Sequence, residues 1–555
     1  MAKRKKQVNE EQGRPFVLPS RRWPVLCLIV IVLLFAVIRV RLLSFPLERD
    51  EGEYAYAAQL ILRGIVPYEL CYTMKLPGTA AVYALALAAF GQTPAGVHLG
   101  LLLVNSATIV LIYLLGKSLL DELTGVVAAA SFGLLSTGPS VLGFAGHATQ
   151  FVVLPAVGGM LVLVKAMKSG RISWFFYSGV LFGLAFLMKQ PGVCFLAFAA
   201  FYLVSQRRRL IEISPLAPPL LALSAGALLP LALTGLIVLR AGAFPQFWLW
   251  TVSYARQYAT MQQLSEGLQV FWHTASDVIR PAMGIWLIAA ASIFAFIWDP
   301  EVRNRTAFLV GLFIFSAVGV CPGLYFRPHY FVLLLPAVAL LCGVSIRSAA
   351  IVLHRASRGR TIALIPPLLF SLVFGLAIVE QRECFFQTDP VVLCRNIYGI
   401  NPFPEALQIA RFLKNRARPG DRVAVMGSEP EIYFYSGLLS ATGYIYMYPL
   451  MEEQSFVSSM QKEFVNEIER AKPEFIVSIG VVTSWMPRPE SDTAIWTWSD
   501  KYISDGYELI GVADILPNGT EYYWTQAAEH YKSRSLNRVL VYQKKKSPST
   551  IAKTN

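Results

Sequence analysis

The stretch Trp23-Pro-Val-Leu-Cys-Leu-Ile-Val-Ile-Val-Leu-Leu-Phe-Ala-Val-Ile-Arg-Val-Arg-Leu-Leu43 runs directly into Ser44-Phe-Pro-Leu-Glu-Arg-Asp-Glu-Gly-Glu-Tyr-Ala-Tyr56. Its first half is as long and apolar as a helix must be to cross a bilayer, which takes about 20 residues. It follows the basic start Met1-Ala-Lys-Arg-Lys-Lys6 and Arg21-Arg22, with no small-residue cleavage site after it, so it reads as an uncleaved signal anchor. The second half sets Glu48, Asp50, Glu51 and Glu53 just beyond the apolar run. Charge held at a membrane boundary is costly, and a collection of it there is a functional-site hypothesis. The two halves together predict a membrane protein whose working groups sit at one face.

The rest of the chain extends this pattern. Of 555 residues, 55% are apolar and 15% charged, against about 25% charged in a soluble domain. Residues 1–380 carry 30 basic and 15 acidic side chains, and residues 381–555 carry 19 and 20. A wholly soluble enzyme is excluded, and so is a nucleic-acid reader with its basic residues on one exposed face. Eleven stretches are expected to span: Trp23–Leu43, Val97–Leu115, Thr124–Val141, Phe151–Lys165, Ser173–Met188, Val193–Val204, Leu216–Leu239, Ala282–Trp298, Thr306–Val320, Tyr330–Val344 and Ile362–Val379. Lys and Arg concentrate in cytoplasmic loops. Alternate loops here hold Lys117; Lys165, Lys168 and Arg171; Arg207, Arg208 and Arg209; Arg303 and Arg305; and Arg347, Arg355, Arg358 and Arg360. The N-terminus is therefore expected in the cytoplasm and everything from about Gln381 outside. The divisions read as a basic N-terminus (1–22), a transmembrane domain (23–380), a linker (381–400), an extracytoplasmic domain (401–545) and a polar tail (546–555).

On this topology Asp50, Glu51, Glu53, Lys75, His147, Lys189, Gln190, Arg256, Arg327 and His329 share the outer face. Any one alone is accounted for as an interfacial side chain snorkelling to water; the set points to a site. Tyr54 to Leu62 has helical apolar spacing and is expected to lie in the interface, with Asp50 as its N-cap. A carboxylate there could instead act as general base towards a hydroxyl, or bind a cation. Farther along the loop, Thr79 to Phe90 is too short to span and reads as juxtamembrane. Lys75, Lys189 and Arg327 place cations at headgroup depth, a set suited to a phosphate. The alternatives are lipid-headgroup contact for the lysines and helix capping for His329. In the aromatic run Phe244 to Tyr258, Trp248 and Trp250 read as interfacial anchors. Tyr254 and Arg256 are left open as substrate contacts.

From about Asn401 helix-like and strand-like segments alternate. Helices are expected at Glu405–Arg416 and Glu452–Ala471, and strands from Arg422, Glu474, Tyr507, Glu521 and Arg538. This predicts a small α/β domain, a lid or docking module over the membrane site. No Gly-x-Gly-x-x-Gly turn supports a nucleotide site. Cys27, Cys194, Cys321 and Cys342 are expected to pack as small apolar residues. Cys384 and Cys394 are a candidate disulfide on the oxidising side, leaving Cys71 unpaired.

Taken together, these residues resemble the GT-C class of polytopic glycosyltransferases. The nearest branch is the bacterial one related to protein O-mannosyltransferases, aminoarabinose transferases and rhizobial lipopolysaccharide galacturonosyltransferases. The likeness covers roughly residues 45–340. It is carried by Asp50-Glu51, Gly64-Ile-Val-Pro-Tyr68, Lys75-Leu-Pro-Gly78 (with Leu76 where the family has proline), Lys189-Gln190, Arg327-Pro-His-Tyr330 and Leu334-Leu-Pro336.

The resemblance implies a mainly α, GT-C-type polytopic fold and an inverting transferase. Such an enzyme moves a sugar from a polyprenyl-phosphate-linked donor to a glycan, lipid or protein acceptor at the non-cytoplasmic face of the inner or plasma membrane. Asp50 would be the catalytic carboxylate, with Glu51 beside it, and Lys75 and Lys189 would lie near the donor phosphate. The candidate substrate contacts are Tyr54, Tyr68, His147, Gln190, Tyr254, Arg256, His329 and Tyr330. His147 reads equally as a partner for Asp50 or as a hydrogen-bonded interfacial histidine. Aminoarabinose transferases hold a metal with a Glu before the lysine; Met74 stands there, and a thioether does not replace a carboxylate for a hard cation. A divalent cation stays open, with no ligand set identified. The rival is a transporter or flippase for a lipid-linked or anionic substrate, which should hold its polar groups near mid-membrane, often within internal repeats. No repeat is visible. A non-catalytic accessory relative is a third reading, and retention of Asp50-Glu51 with both lysines counts against it.

Overall fold

A computed structural model describes residues 22–207, 215–357 and 361–546. The basic start with Arg21, the loop arginines Arg208, Arg209, Arg358 and Arg360, and nearly all of the expected polar tail lie outside the described residues.

With no water in the hydrocarbon to bond backbone groups, an apolar chain crosses it as helix. The helices are α1 (Trp23–Arg41), α2 (Arg49–Leu62), α3 (Gly78–Phe90), α4 (Pro94–Leu119), α5 (Glu122–Thr137), α6 (Ala148–Ser169) and α7 (Ile172–Met188). They continue with α8 (Val193–Ser205), α9 (Ala217–Arg240), α10 (Leu264–Ile279), α11 (Met283–Ala290), α12 (Ser292–Trp298), α13 (Thr306–Val320), α14 (Leu335–Ser357) and α15 (Ile365–Glu380). Among the described residues, seven stretches are long and apolar enough to cross a membrane, and five more apolar helices are shorter. Each of the eleven expected spans falls on helix, and Gly78–Phe90 is among the short ones. Helix extends past several of the expected bounds: it runs from Leu264 through to Trp298, because amphipathic α10 precedes the apolar α11 and α12, and α14 continues beyond Val344 to take in Arg347 and Arg355, which the sequence places in a loop. Arg39 lies inside the first span, where the fold pairs it with Asn105 Oδ1 at 3.2 Å and the Gly143 carbonyl at 3.0 Å.

Beyond α15 come two short helices, Arg382–Phe385 and Pro390–Tyr398. Cys384 and Cys394 sit on these separate helices as free thiols, Cys394 buried in the core, so the expected disulfide is not formed. The α/β unit then contains α16 (Phe403–Arg416), β1 (Arg422–Met426), α17 (Glu431–Ser436), β2 (Leu439–Ser440), α18 (Val457–Ala471) and β3 (Phe475–Ile479). It ends with α19 (Ala494–Gly506), β4 (Tyr507–Leu516), β5 (Gly519–Trp524) and β6 (Arg538–Lys544). One mixed sheet runs β2-β1-β3-β6-β4-β5, parallel through β2-β1-β3 and antiparallel beyond. The five expected strands are present; two-residue β2 carries too little pattern to be read in advance.

What positions the site is α2. The sequence reads it as an interfacial helix, but Gly52 to Tyr56 and Ala58 to Leu60 are buried. The α/β unit covers it: Ser440 N donates to the Tyr56 hydroxyl and Leu47 N to the Tyr435 hydroxyl, both at 2.8 Å, and Arg49 pairs with buried Glu429 at 2.8 Å. The unit is thus built onto the loop that follows α1.

Candidate active site

The start of α2 divides its acids between two tasks. Glu48, not Asp50, is the N-cap: Glu51 N donates to Glu48 Oε1 at 2.9 Å and Glu48 N to Glu51 Oε2 at 3.4 Å, a reciprocal capping box. Glu51 is fully buried, accepts from Gly146 N at 2.6 Å and lies 3.2 Å from His98 Nε2. It braces the helix from behind and does not line the cavity. Asp50, in the first turn, is released from capping, and its side chain is 24% exposed to a cavity of about 470 Å³.

Asp50 Oδ1 accepts from Lys75 Nζ at 2.7 Å and from the Tyr446 hydroxyl at 3.0 Å, while Oδ2 lies 3.4 Å from His147 Nδ1. Lys75 also donates to Glu53 Oε2 at 2.6 Å and sits 4.5 Å from the Tyr54 ring centre. Its loop is tied down from both sides: the Tyr68 hydroxyl donates to Lys75 O at 3.0 Å, and Gln190 Nε2 to Met74 O at 2.8 Å. Burial opposes charge on Asp50, but the Lys75 ammonium and then His147 hold its carboxyl well below the usual carboxylate range. Burial pushes Glu48 up to about 7 against the pull of His147.

Opposite this cluster, the Lys189 ammonium lies 4.0 Å from the Tyr330 ring centre and the Arg327 guanidinium 5.9 Å from that of Tyr325. Neither forms an ion pair among the described residues. Burial pulls Lys189 down to about 7, with Asp50 working the other way and Lys75 and Arg327 adding to the fall. His147 and His329 stack between the two poles, ring centres 4.0 Å apart and planes 6° apart.

Of the residues expected at the site, Asp50, Lys75, His147, Lys189, Gln190, Tyr254, Arg327, His329 and Tyr330 line the cavity. Tyr54 and Tyr68 stand behind Lys75. Arg256 is exposed and outside it: a π turn at Leu249–Tyr254 brings Tyr254 inward, and two residues later the side chain faces out. Trp248 is exposed like an anchor, but Trp250 is buried and stacks on Tyr72 at 5.4 Å, because the α/β unit covers it. Sequence reasoning missed the polar residues this unit contributes, Tyr446, Tyr448, Glu452 and Arg488. Glu452 accepts from the Tyr254 hydroxyl across the cavity. The alternating tyrosines in Tyr444-Ile-Tyr-Met-Tyr448 were the one visible signal.

Asp50, His147 and His329 place potential metal-ligand atoms within 4.8 Å of one another, a trio the sequence did not reveal. Their geometry does not suit a shared ion as it stands. Stacked parallel imidazoles aim their in-plane lone pairs side by side rather than at one point, and the Lys75 ammonium already neutralises Asp50.

The sequence profile of the family described as dolichyl-phosphate-mannose-protein mannosyltransferase matches residues 75–232, well under half of the chain. Among curated proteins none matches by sequence. The fold is similar to ArnT from Cupriavidus metallidurans, solved bound to undecaprenyl phosphate. The TM-score is 0.58 at 16% identity, covering 94% of this chain and 98% of that one. It is also similar to the archaeal oligosaccharyltransferase AglB from Archaeoglobus fulgidus, solved with an inhibitory peptide and a dolichol-phosphate. There the TM-score is 0.53 at 12% identity, covering 91% of this chain and 75% of that one. The chain is a multi-pass membrane protein with the fold of the GT-C class of polytopic glycosyltransferases.

Proposed function

We propose that the protein transfers a sugar from a polyprenyl-phosphate-linked donor to an acceptor hydroxyl at the non-cytoplasmic face of the membrane, with Asp50 as base. The observation that carries this reading is the division of charge in one cavity. Asp50 is paired with Lys75, which it shares with Glu53, while Lys189 and Arg327 form no ion pair with an acid among the described residues. Lipid phosphates in the structures of ArnT and AglB support the donor class. As the acceptor oxygen bonds the anomeric carbon, its proton passes to Asp50 and the carbon–phosphate oxygen bond breaks. The charge gained by the departing phosphate is met by Lys189 and Arg327. Lys75, which the sequence groups with the phosphate ligands, acts in this scheme by keeping Asp50 ionised and oriented.

The test is binding of undecaprenyl phosphate to the protein in lipid nanodiscs. A hydrogen bond to a charged group contributes about 1.5–3 kcal/mol. Lys189→Met and Arg327→Met are each expected to weaken binding roughly ten- to a hundredfold, with Lys75→Met changing turnover more than affinity. Wild-type affinity in both of the first two variants would remove the phosphate from this pole.

A further inference from the structure

A carboxylate offers about two acceptor positions on each oxygen. At Asp50 the two oxygens are used unequally. Oδ1 takes Lys75 Nζ at 2.7 Å and the Tyr446 hydroxyl at 3.0 Å, and among the described residues Oδ2 has only the His147 ring, with Nδ1 at 3.4 Å. Tyr446 belongs to the α/β unit, not to the membrane helices, and its neighbours hold it firmly. Met447 N donates to Ser428 Oγ at 2.9 Å, and that hydroxyl in turn donates to the Ser484 carbonyl at 2.6 Å. The Tyr446 ring centre also lies 5.5 Å from the Lys75 ammonium, so ring and hydroxyl both address the Lys75–Asp50 pair.

We propose that Tyr446 is a positioning residue for the transfer: with Lys75 it occupies Oδ1, fixes the rotation of the Asp50 carboxylate, and leaves Oδ2 as the atom that takes the acceptor's proton. This rests on the reading of Asp50 as base. In the step, the acceptor O–H proton moves to Oδ2 while the acceptor oxygen bonds the anomeric carbon. The bond from that carbon to the phosphate oxygen breaks, and its electron pair leaves with the lipid phosphate. The α/β unit is then part of the reacting site rather than a cover over it.

Tyr446→Phe keeps the ring and its contact with Lys75 and deletes only the donor. Full-length protein in liposomes would be given undecaprenyl-phosphate hexoses, with turnover read as released undecaprenyl phosphate. Separately, carbodiimide labelling of Asp50 across pH, read by mass spectrometry, reports its protonation without needing turnover. Losing a donor to the charged form makes Asp50 easier to protonate. The labelling midpoint and the acid limb of kcat/KM should both move up by about one pH unit, while kcat falls roughly ten- to a hundredfold and KM stays within about twofold. Asp50→Asn combined with Tyr446→Phe should be no slower than Asp50→Asn alone. An unmoved midpoint, or a further loss in the double variant, overturns the proposal. If Asp50→Asn turns over like wild type, the reading of Asp50 as base falls whatever Tyr446 does. If Asp50→Asn is inactive and Tyr446→Phe is normal by both readouts, that reading stands and Tyr446 falls.

Discussion

Asp50 and Glu51 are adjacent in sequence and opposite in role, and their divergence shows how far residue-scale reading reaches. The cluster of acids was legible because four carboxylates beside an apolar span have no packing explanation. Which acid caps and which faces the cavity depended on the helix starting at Arg49, two residues earlier than an Asp50 cap would allow. The cations divide in the same way: Lys75, Lys189 and Arg327 were all visible, but only the fold commits Lys75 to Asp50 and Glu53. Lys189 then carries a pH prediction. Burial lowers it to about 7, and a bound phosphate favours its ammonium form and raises it. Below about pH 7 the lysine is already charged and affinity should be flat. Above that, binding must take up a proton, so affinity should fall as pH rises, by up to about tenfold per unit. Titration of an undecaprenyl-phosphate sugar between pH 6 and 9 checks this, since its phosphodiester does not itself titrate there. Lys189→Arg, always charged, should flatten the curve.

At the scale of elements, hydropathy located the helices because lipid demands long apolar runs, and alternation located five of the six strands. The contacts of α2 were not legible, because its burial comes from a unit more than 350 residues away in sequence; Gly52 meets Glu431, and Tyr56 meets Ser440. A Cβ at Gly52 would stand 2.5 Å from Glu431 N and 2.8 Å from Glu431 Cβ, against backbone that has no room to yield. Gly52→Ala is therefore expected to destabilise the protein by about 1–3 kcal/mol, seen as a lower Tm. Transfer should drop with it, since the same displacement draws Tyr446 away from Asp50. An unchanged Tm would mean that α2 and the α/β unit are not packed as described. The π turn at Leu249–Tyr254 escaped prediction for a related reason: it is stabilised by covering Trp250 and Tyr254, which composition alone assigns to the membrane surface.

Across the whole molecule, charge is sorted by face. Asp50, Lys75, His147, Lys189 and Arg327 gather around one cavity, while Arg347, within α14, pairs with Asp121 at the start of α5 and with Asp299 and Glu301 just beyond α12. If the basic loops face the cytoplasm, the α/β unit lies outside. A tag after Lys546 should then be cleaved by protease added to intact spheroplasts, and an N-terminal tag should survive until the membrane is broken. The reverse pattern would invert the topology. The polytopic fold could be anticipated because composition, loop charge and motif order agree over hundreds of residues. The shared cavity could not, because one side of it, with Tyr446, Tyr448, Glu452 and Arg488, comes from a unit whose sequence signals only sheet and helix. The most direct measurement is sugar transfer by full-length protein in liposomes, wild type beside Asp50→Asn, across a panel of undecaprenyl-phosphate sugars with membrane extract as acceptor. A base of this kind contributes about 10²–10⁴-fold. A well-folded Asp50→Asn variant that still binds undecaprenyl phosphate but loses transfer by that factor is the expected result. Binding or movement of the lipid across the bilayer with no turnover of any donor in wild type would contradict it and favour a transporter.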